Sequence, residues 1–222
     1  MNTSGYPVPP VALPAAWLAS TMRRVLLGCW VAACVAALPA ATLSTEERER
    51  ARDELHRTRD AVLAAAADLS PEQWSFKPAA DRWSVGDIVE HIAATEAGLL
   101  AMVQEKVMKA PARTEAVDLK ETDALVLSAI SDRTKKAEAP EPFIPKNRFG
   151  SAGGTLAQFK SNREKTLSFL DNTNDLRDHA TDSPLGRPLD GYQWLLFISA
   201  HADRHLKQLL EVKADPNFPP NG

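Results

Sequence analysis

The stretch Asp190 to Lys213, "DGYQWLLFISAHADRHLKQLLEVK", decides how this chain folds. Trp194, Ile198, His201, His205 and Leu209 recur at steps of three and four residues, the spacing of one helix face. Asp190 stands where an N-cap belongs. Gln193, three residues later, can return a bond to the cap's backbone N–H, which makes a capping box. The segment therefore reads as a long amphipathic helix, with two histidines one turn apart on the side that carries its large apolar residues. The chain has only 5 histidines, so the placement of these two asks for an explanation.

Three further segments read the same way, each opening on a capping pattern. Ser44 to Leu69 starts with Ser44 and Glu47 and lines up Leu55, Val62, Ala66 and Leu69. Ser84 to Met108 starts with Ser84 and Asp87, and its stripe is Ile88, His91, Ile92, Thr95, Leu99 and Met102. Thr155 to Asn172 starts with Thr155 and Gln158 and carries Leu156, Phe159, Arg163, Leu167 and Leu170 on one face. Between the first two, Ser70 and Pro71 give a cap and a first helical position, hence a turn. No alternating, β-branched run and no Asn-Gly hairpin signal a sheet. The expectation is an all-α fold: a four-helix bundle with a long connection between its second and third long helices. That connection, Lys109 to Gly154, is too long for a plain loop. Its part "DLKETDALVLSAISDRTKKAE", 118–138, predicts an extra short helix. "APEPFIPKNRFGSAGG", 139–154, predicts an extended segment over one end of the bundle.

The 222 residues, 44% apolar and 25% charged with a net charge of -3, suffice for one medium domain with a true core. No basic excess and no basic patch interleaved with aromatics points to nucleic acid. Residues 1–41 read differently. "MRRVLLGCWVAACVAALPAA", from Met22, has two arginines, an apolar run and a small-residue end, the plan of a secretory signal. The run is short for a bilayer span. The Pro-rich residues 1–21 are an upstream extension, and cleavage is expected near Ala40 or Ala41, with the domain in 42–222. The alternative is an uncleaved anchor, the only route to a membrane. Both cysteines, Cys29 and Cys34, lie in the leader. "VAAC", ending at Cys34, faintly resembles a lipoprotein box, but apolar residues continue past it. The exported domain then has neither disulfide nor thiolate.

His91 sits on the apolar stripe of the second long helix as His201 and His205 sit on that of the fourth. Three imidazoles aimed inward from two helices could converge on one metal ion. Equally, each could be a core histidine with a hydrogen-bond partner, although burying three leaves many nitrogens to satisfy. Gln208 shares the face of His201 and His205 and could orient a ligand or simply lie on the surface. Asp203 is expected to be solvated, and Arg204 could reach the mouth of a site. Asp87 could support His91, but capping is the nearer role. His56 is a weaker fourth ligand, His179 is expected to be exposed in its loop, and Trp83 and Trp194 are expected to be core packers.

"WSFKPAADRWSVGDIVEHIAATE", Trp74 to Glu96, together with "LGRPLDGYQWLLFISAHADRHLKQLLEVK", Leu185 to Lys213, resembles the DinB-like (DinB/YfiT) superfamily. The shared marks are Trp83, Ser84 and His91, then His201 and His205, and the resemblance runs over 45–213. It implies a four-helix bundle and a divalent metal held by His91, His201 and His205, with water completing the shell. Zinc is slightly preferred over nickel, iron and manganese. It also implies one of several roles: a metal-dependent hydrolase using activated water on a small substrate, a metal-dependent thiol transferase, or a metal-binding or scaffold module without turnover. Reduced thiols are scarce outside the cytosol, so export favours activated water. A homodimer is compatible with a bundle that exposes one apolar face.

Overall fold

The computed structural model describes residues 42–113, 118–135 and 138–220; the leader, its cysteines and its cleavage site lie outside them. Six α-helices follow one another: α1 (Thr45–Ala66), α2 (Pro71–Ser75), α3 (Val85–Met102), α4 (Leu119–Ser131), α5 (Ala152–Asn172) and α6 (Gly191–Lys213). A π-turn, Val103–Val107, continues α3, and one 3₁₀ turn, Glu141–Phe143, interrupts the segment before α5. Four of the helices are long. They neighbour one another in the cyclic order α1, α6, α3, α5, with sparse contact across the diagonals, and α4 packs on α6. This is the expected all-α four-helix bundle.

Capping explains most of the boundaries. Ser44 with Glu47, Ser70 with Gln73, Ser84 with Asp87 and Asp190 with Gln193 each close a two-way capping box. The third long helix begins earlier than Thr155. Ser151 is its cap, accepting from Gly154 N at 3.1 Å, and Gln158 bonds Asn162 instead. Gly153 and Gly154, expected in the extended segment 139–154, sit instead in the first turn of α5, where backbone N–H groups lack helical partners anyway. A side chain at 154 would come within 2.5 Å of Phe149 O, so glycine is required there. The first long helix stops at Ala66 rather than Leu69, because Asp68 turns the chain with a left-handed φ of 54°. A small antiparallel pair, β1 (Ala180–Thr181) with β2 (Leu189–Asp190), leads into α6 without making a larger sheet.

Leu55, Val62, Ile88, Ile92, Phe159, Leu170 and Ile198 pack the interior. Two buried arginines fix how the helices meet. Arg163 on α5 grips Glu96 on α3 with both arms of its guanidinium, at 2.7 and 2.9 Å, and donates to Thr58 Oγ1 on α1 at 2.8 Å. Arg177 bonds Asp123 of α4, Asp190 at the start of α6 and Glu47 of α1, with Tyr192 under its guanidinium at 4.0 Å. The second clamp fixes where α6 starts, and so the rotation at which His201 and His205 enter the bundle.

Candidate metal centre

α3 and α6 are neighbours, and their histidines meet. His91, His201 and His205 each offer one ring nitrogen to a cluster whose atoms all lie within 4.8 Å of one another. His91 Nε2 and His201 Nε2 are 3.3 Å apart. Two nitrogens bound to one tetrahedral zinc at about 2.0–2.1 Å are separated by about 3.3 Å. Two lone pairs do not approach so closely unless a proton or a cation lies between them. The ring centroids of His205 are 4.5 Å from those of both His91 and His201.

The outer nitrogens are engaged in a way that frees the inner ones. His91 Nδ1–H donates to Phe143 O at 2.9 Å, and His205 Nδ1–H donates to Gln208 Oε1 at 2.8 Å. In a neutral imidazole this leaves Nε2 as the bare, ligating nitrogen. The carbonyl of Phe143 is held in place by its own setting. Glu90, next to His91, accepts from Lys146 N at 2.7 Å and Arg148 Nε at 2.9 Å, while Arg148 also donates to Pro142 O and Ile144 O. The expected extended segment is thus a strap across α3. Gly98 admits it: a Cβ there would meet the Phe143 ring at 2.6 Å. Outer partners of metal-bound histidines contribute about 10–100-fold in affinity. Gln208→Ala is accordingly expected to weaken zinc binding by about that factor, measured by chelator competition. Gln208→Glu, which keeps an acceptor, should retain most of the affinity.

His91 is 3% and His205 9% exposed; His201 is half-buried. The His201 side is thus the least covered of the three. Trp83 closes another side, its ring 4.8 Å from that of His91 and nearly parallel to His205 at 6.2 Å. Burial is the main force that holds all three imidazoles neutral. It pushes His91 down despite the bond to Phe143 O, and pushes His205 down to about 3, with His91 adding to the effect. For His201, burial around the ring and the neighbours His205 and His91 act together and push it well down. The ligands are thus in the form that binds metal.

This predicts the acid behaviour of the metal-free protein. Between the unfolded histidine value of 6.5 and the lower folded ones, the unfolded chain binds more protons than the native state. Stability is then fully present above pH 6.5 and falls as the pH drops below it. The expected slope from His205 is roughly 1.4 kcal/mol per pH unit, and His91 adds to it in the same direction. Urea midpoints of the parent and His205→Ala proteins from pH 7 to 5 check this. Parallel curves would contradict it.

The other residues singled out in the sequence fall elsewhere. His56 on α1 is half-buried and takes no part in the cluster, so it is not a fourth ligand. His179 is not exposed in its loop; its Nδ1 pairs with Ala110 O at 2.6 Å, which draws it half under the surface. Asp203 is ion-paired with Arg57 and Lys207 rather than free in solvent. Asp87 caps α3 and pairs with Lys77. Arg204 donates to the backbone carbonyls of Asp132 and Lys135. Trp194 is a core packer as expected, whereas Trp83 is half-buried and stacks on the histidines. The Phe143 carbonyl, Glu90 and Arg148 escaped sequence reasoning, because a main-chain acceptor leaves no mark in residue type.

A four-helix bundle with three inward histidines, two on one helix and one on its neighbour, describes a helical protein with a site fit for a divalent metal. Residues 54–209 match the family model of the DinB superfamily, and the chain belongs to that superfamily. YuaE of Bacillus subtilis (strain 168), an uncharacterized protein, is 28% identical over 146 residues, covering 65% of this chain and 86% of YuaE. The solved structure of YfiT from Bacillus subtilis aligns with a TM-score of 0.52 at 14% identity, over 82% of this chain and 94% of that one. It is described as a probable metal-dependent hydrolase with an unusual four-helix bundle topology. At this identity the likeness speaks for the fold.

Proposed function

We propose that this chain is an exported, metal-dependent hydrolase acting on a small substrate, with His91, His201 and His205 holding a divalent ion, zinc first among the candidates. The carrying observation is the pair of outward Nδ1–H bonds, His91 to Phe143 O and His205 to Gln208 Oε1, which turns bare Nε2 atoms toward one point. When bound, such an ion acts as a Lewis acid and lowers the pKa of water toward neutrality. The protein's own residues do the remainder. Gln208 and the strap hold the imidazoles at fixed angles, and Trp83 shields the buried side. Among the described residues no carboxylate bonds to the histidines. Elemental analysis of the purified protein, followed by ester and amide hydrolysis assays with and without chelator, tests the proposal. About one equivalent of metal and chelator-sensitive turnover support it. Absence of bound metal, or turnover indifferent to chelation, would sink it.

A further inference from the structure

Arginines from three separate segments surround the histidine centre, and no carboxylate bonds to it among the described residues. Arg133, just past α4, donates to Gln208 Oε1 at 3.3 Å, the same atom that accepts from His205. Arg148 brackets Phe143, whose carbonyl accepts from His91, by donating to Pro142 O and Ile144 O. Arg204 follows His201 by three residues on α6 and so shares its side of the helix. The three are not equivalent. Arg148 is neutralised by Glu90 at 2.9 Å, and Arg133 by Glu211 at 2.8 Å. Arg204 is partly buried, and its two donated bonds end on the carbonyls of Asp132 and Lys135. Among the described residues it makes no ion pair, although the Asp132 carboxylate lies near enough to act on its charge. Three neutral imidazoles also leave both charges of a divalent ion uncompensated. The centre therefore sets the ion beside a guanidinium that no ion pair ties down and that acts on His201, a setting that favours a negative ligand.

We propose that this site selects a substrate carrying an oxyanion, a carboxylate or a phosphate, beside the bond that reacts, and that Arg204 is the residue that recognises it. The inference rests on the metal-site reading above. A guanidinium matches either group through paired N–H donors, and Arg204 keeps N–H groups beyond the two that bond the backbone.

The test is anion binding to the cobalt-loaded full chain, followed through the visible absorption of the metal, with inorganic phosphate and acetate as the probes. Either anion should perturb the spectrum saturably; phosphate alone marks a phosphate-bearing substrate, acetate alone a carboxylate-bearing one. Arg204→Gln should raise the apparent Kd about tenfold or more with cobalt content unchanged, and Arg204→Lys should fall between it and the parent. Arg50→Gln, which removes a surface charge on α1, should leave the Kd unchanged. Should Arg204→Gln fail to fold, the nitrogen resonance of the Arg204 guanidinium in the parent serves instead: a shift on titration with phosphate or acetate is expected, and none overturns the inference. Equal affinity in Arg204→Gln, or a cobalt spectrum indifferent to both anions, also overturns it while the metal site stands. A parent protein that retains no cobalt overturns the metal reading and this inference with it.

Discussion

His205→Ala is expected to bind zinc more than about 100-fold more weakly than the parent, since losing an outer partner alone costs about 10–100-fold. His205 is closely constrained. It lies one helical turn from His201 on α6, its ring contacts both other imidazoles, and its Nδ1 is fixed by Gln208. Removing it breaks the chelating pair on α6 and leaves His201 as the one α6 imidazole against His91. His91→Ala should behave similarly, because it deletes the only ligand from α3. His179→Ala, whose ring bonds Ala110 O far along the chain, and His56→Ala should bind as the parent does. Titration against a fluorescent chelator measures all four. Parent-like affinity in His205→Ala would remove the basis for a shared ion.

The second large effect is on stability. Arg163→Met should destabilise the fold by about 3–5 kcal/mol, because it strands the Glu96 carboxylate in the core. Arg163 is fully buried and Glu96 is 2% exposed. Among the described residues, Glu96 is otherwise bonded only by the Thr166 hydroxyl, at 2.8 Å. A loss of that size is a large part of the 5–15 kcal/mol that typically separates folded from unfolded domains. Replacing both members, Arg163→Met with Glu96→Leu, should recover more than half of it, since apolar side chains of similar volume remove the unpaired charge. Urea unfolding of the three proteins gives the comparison. A single mutant no less stable than the double mutant would show that the pair is not what links α3 to α5.

Much of this architecture is legible in the residues. The stripe Trp194, Ile198, His201, His205, Leu209 and the capping pair Asp190 and Gln193 declare α6 and point both histidines inward, as the structure finds them. His91 follows from the same reasoning on α3. What escaped are features that periodicity cannot carry. The Gly153–Gly154 pair reads as the end of an extended segment, but it lies in the first turn of α5, where glycine at 154 removes a clash with Phe149 O. Arg163 is visible on an apolar face, yet its partner Glu96 lies on another helix, and pairing between helices depends on their packing. The strap that sets the His91 tautomer acts through the carbonyl of Phe143, a group every residue has. His179 illustrates the converse: its loop is plainly polar, but a neighbouring carbonyl, Ala110 O, draws the ring inward.

X-ray absorption at the zinc edge of the zinc-loaded protein tests the central claim most directly. The account predicts three imidazole nitrogens at about 2.0–2.1 Å with the remaining scattering from oxygen, and a drop to two imidazoles in His91→Ala. A first shell with fewer than three imidazoles in the parent, or the same shell in His91→Ala, would contradict it.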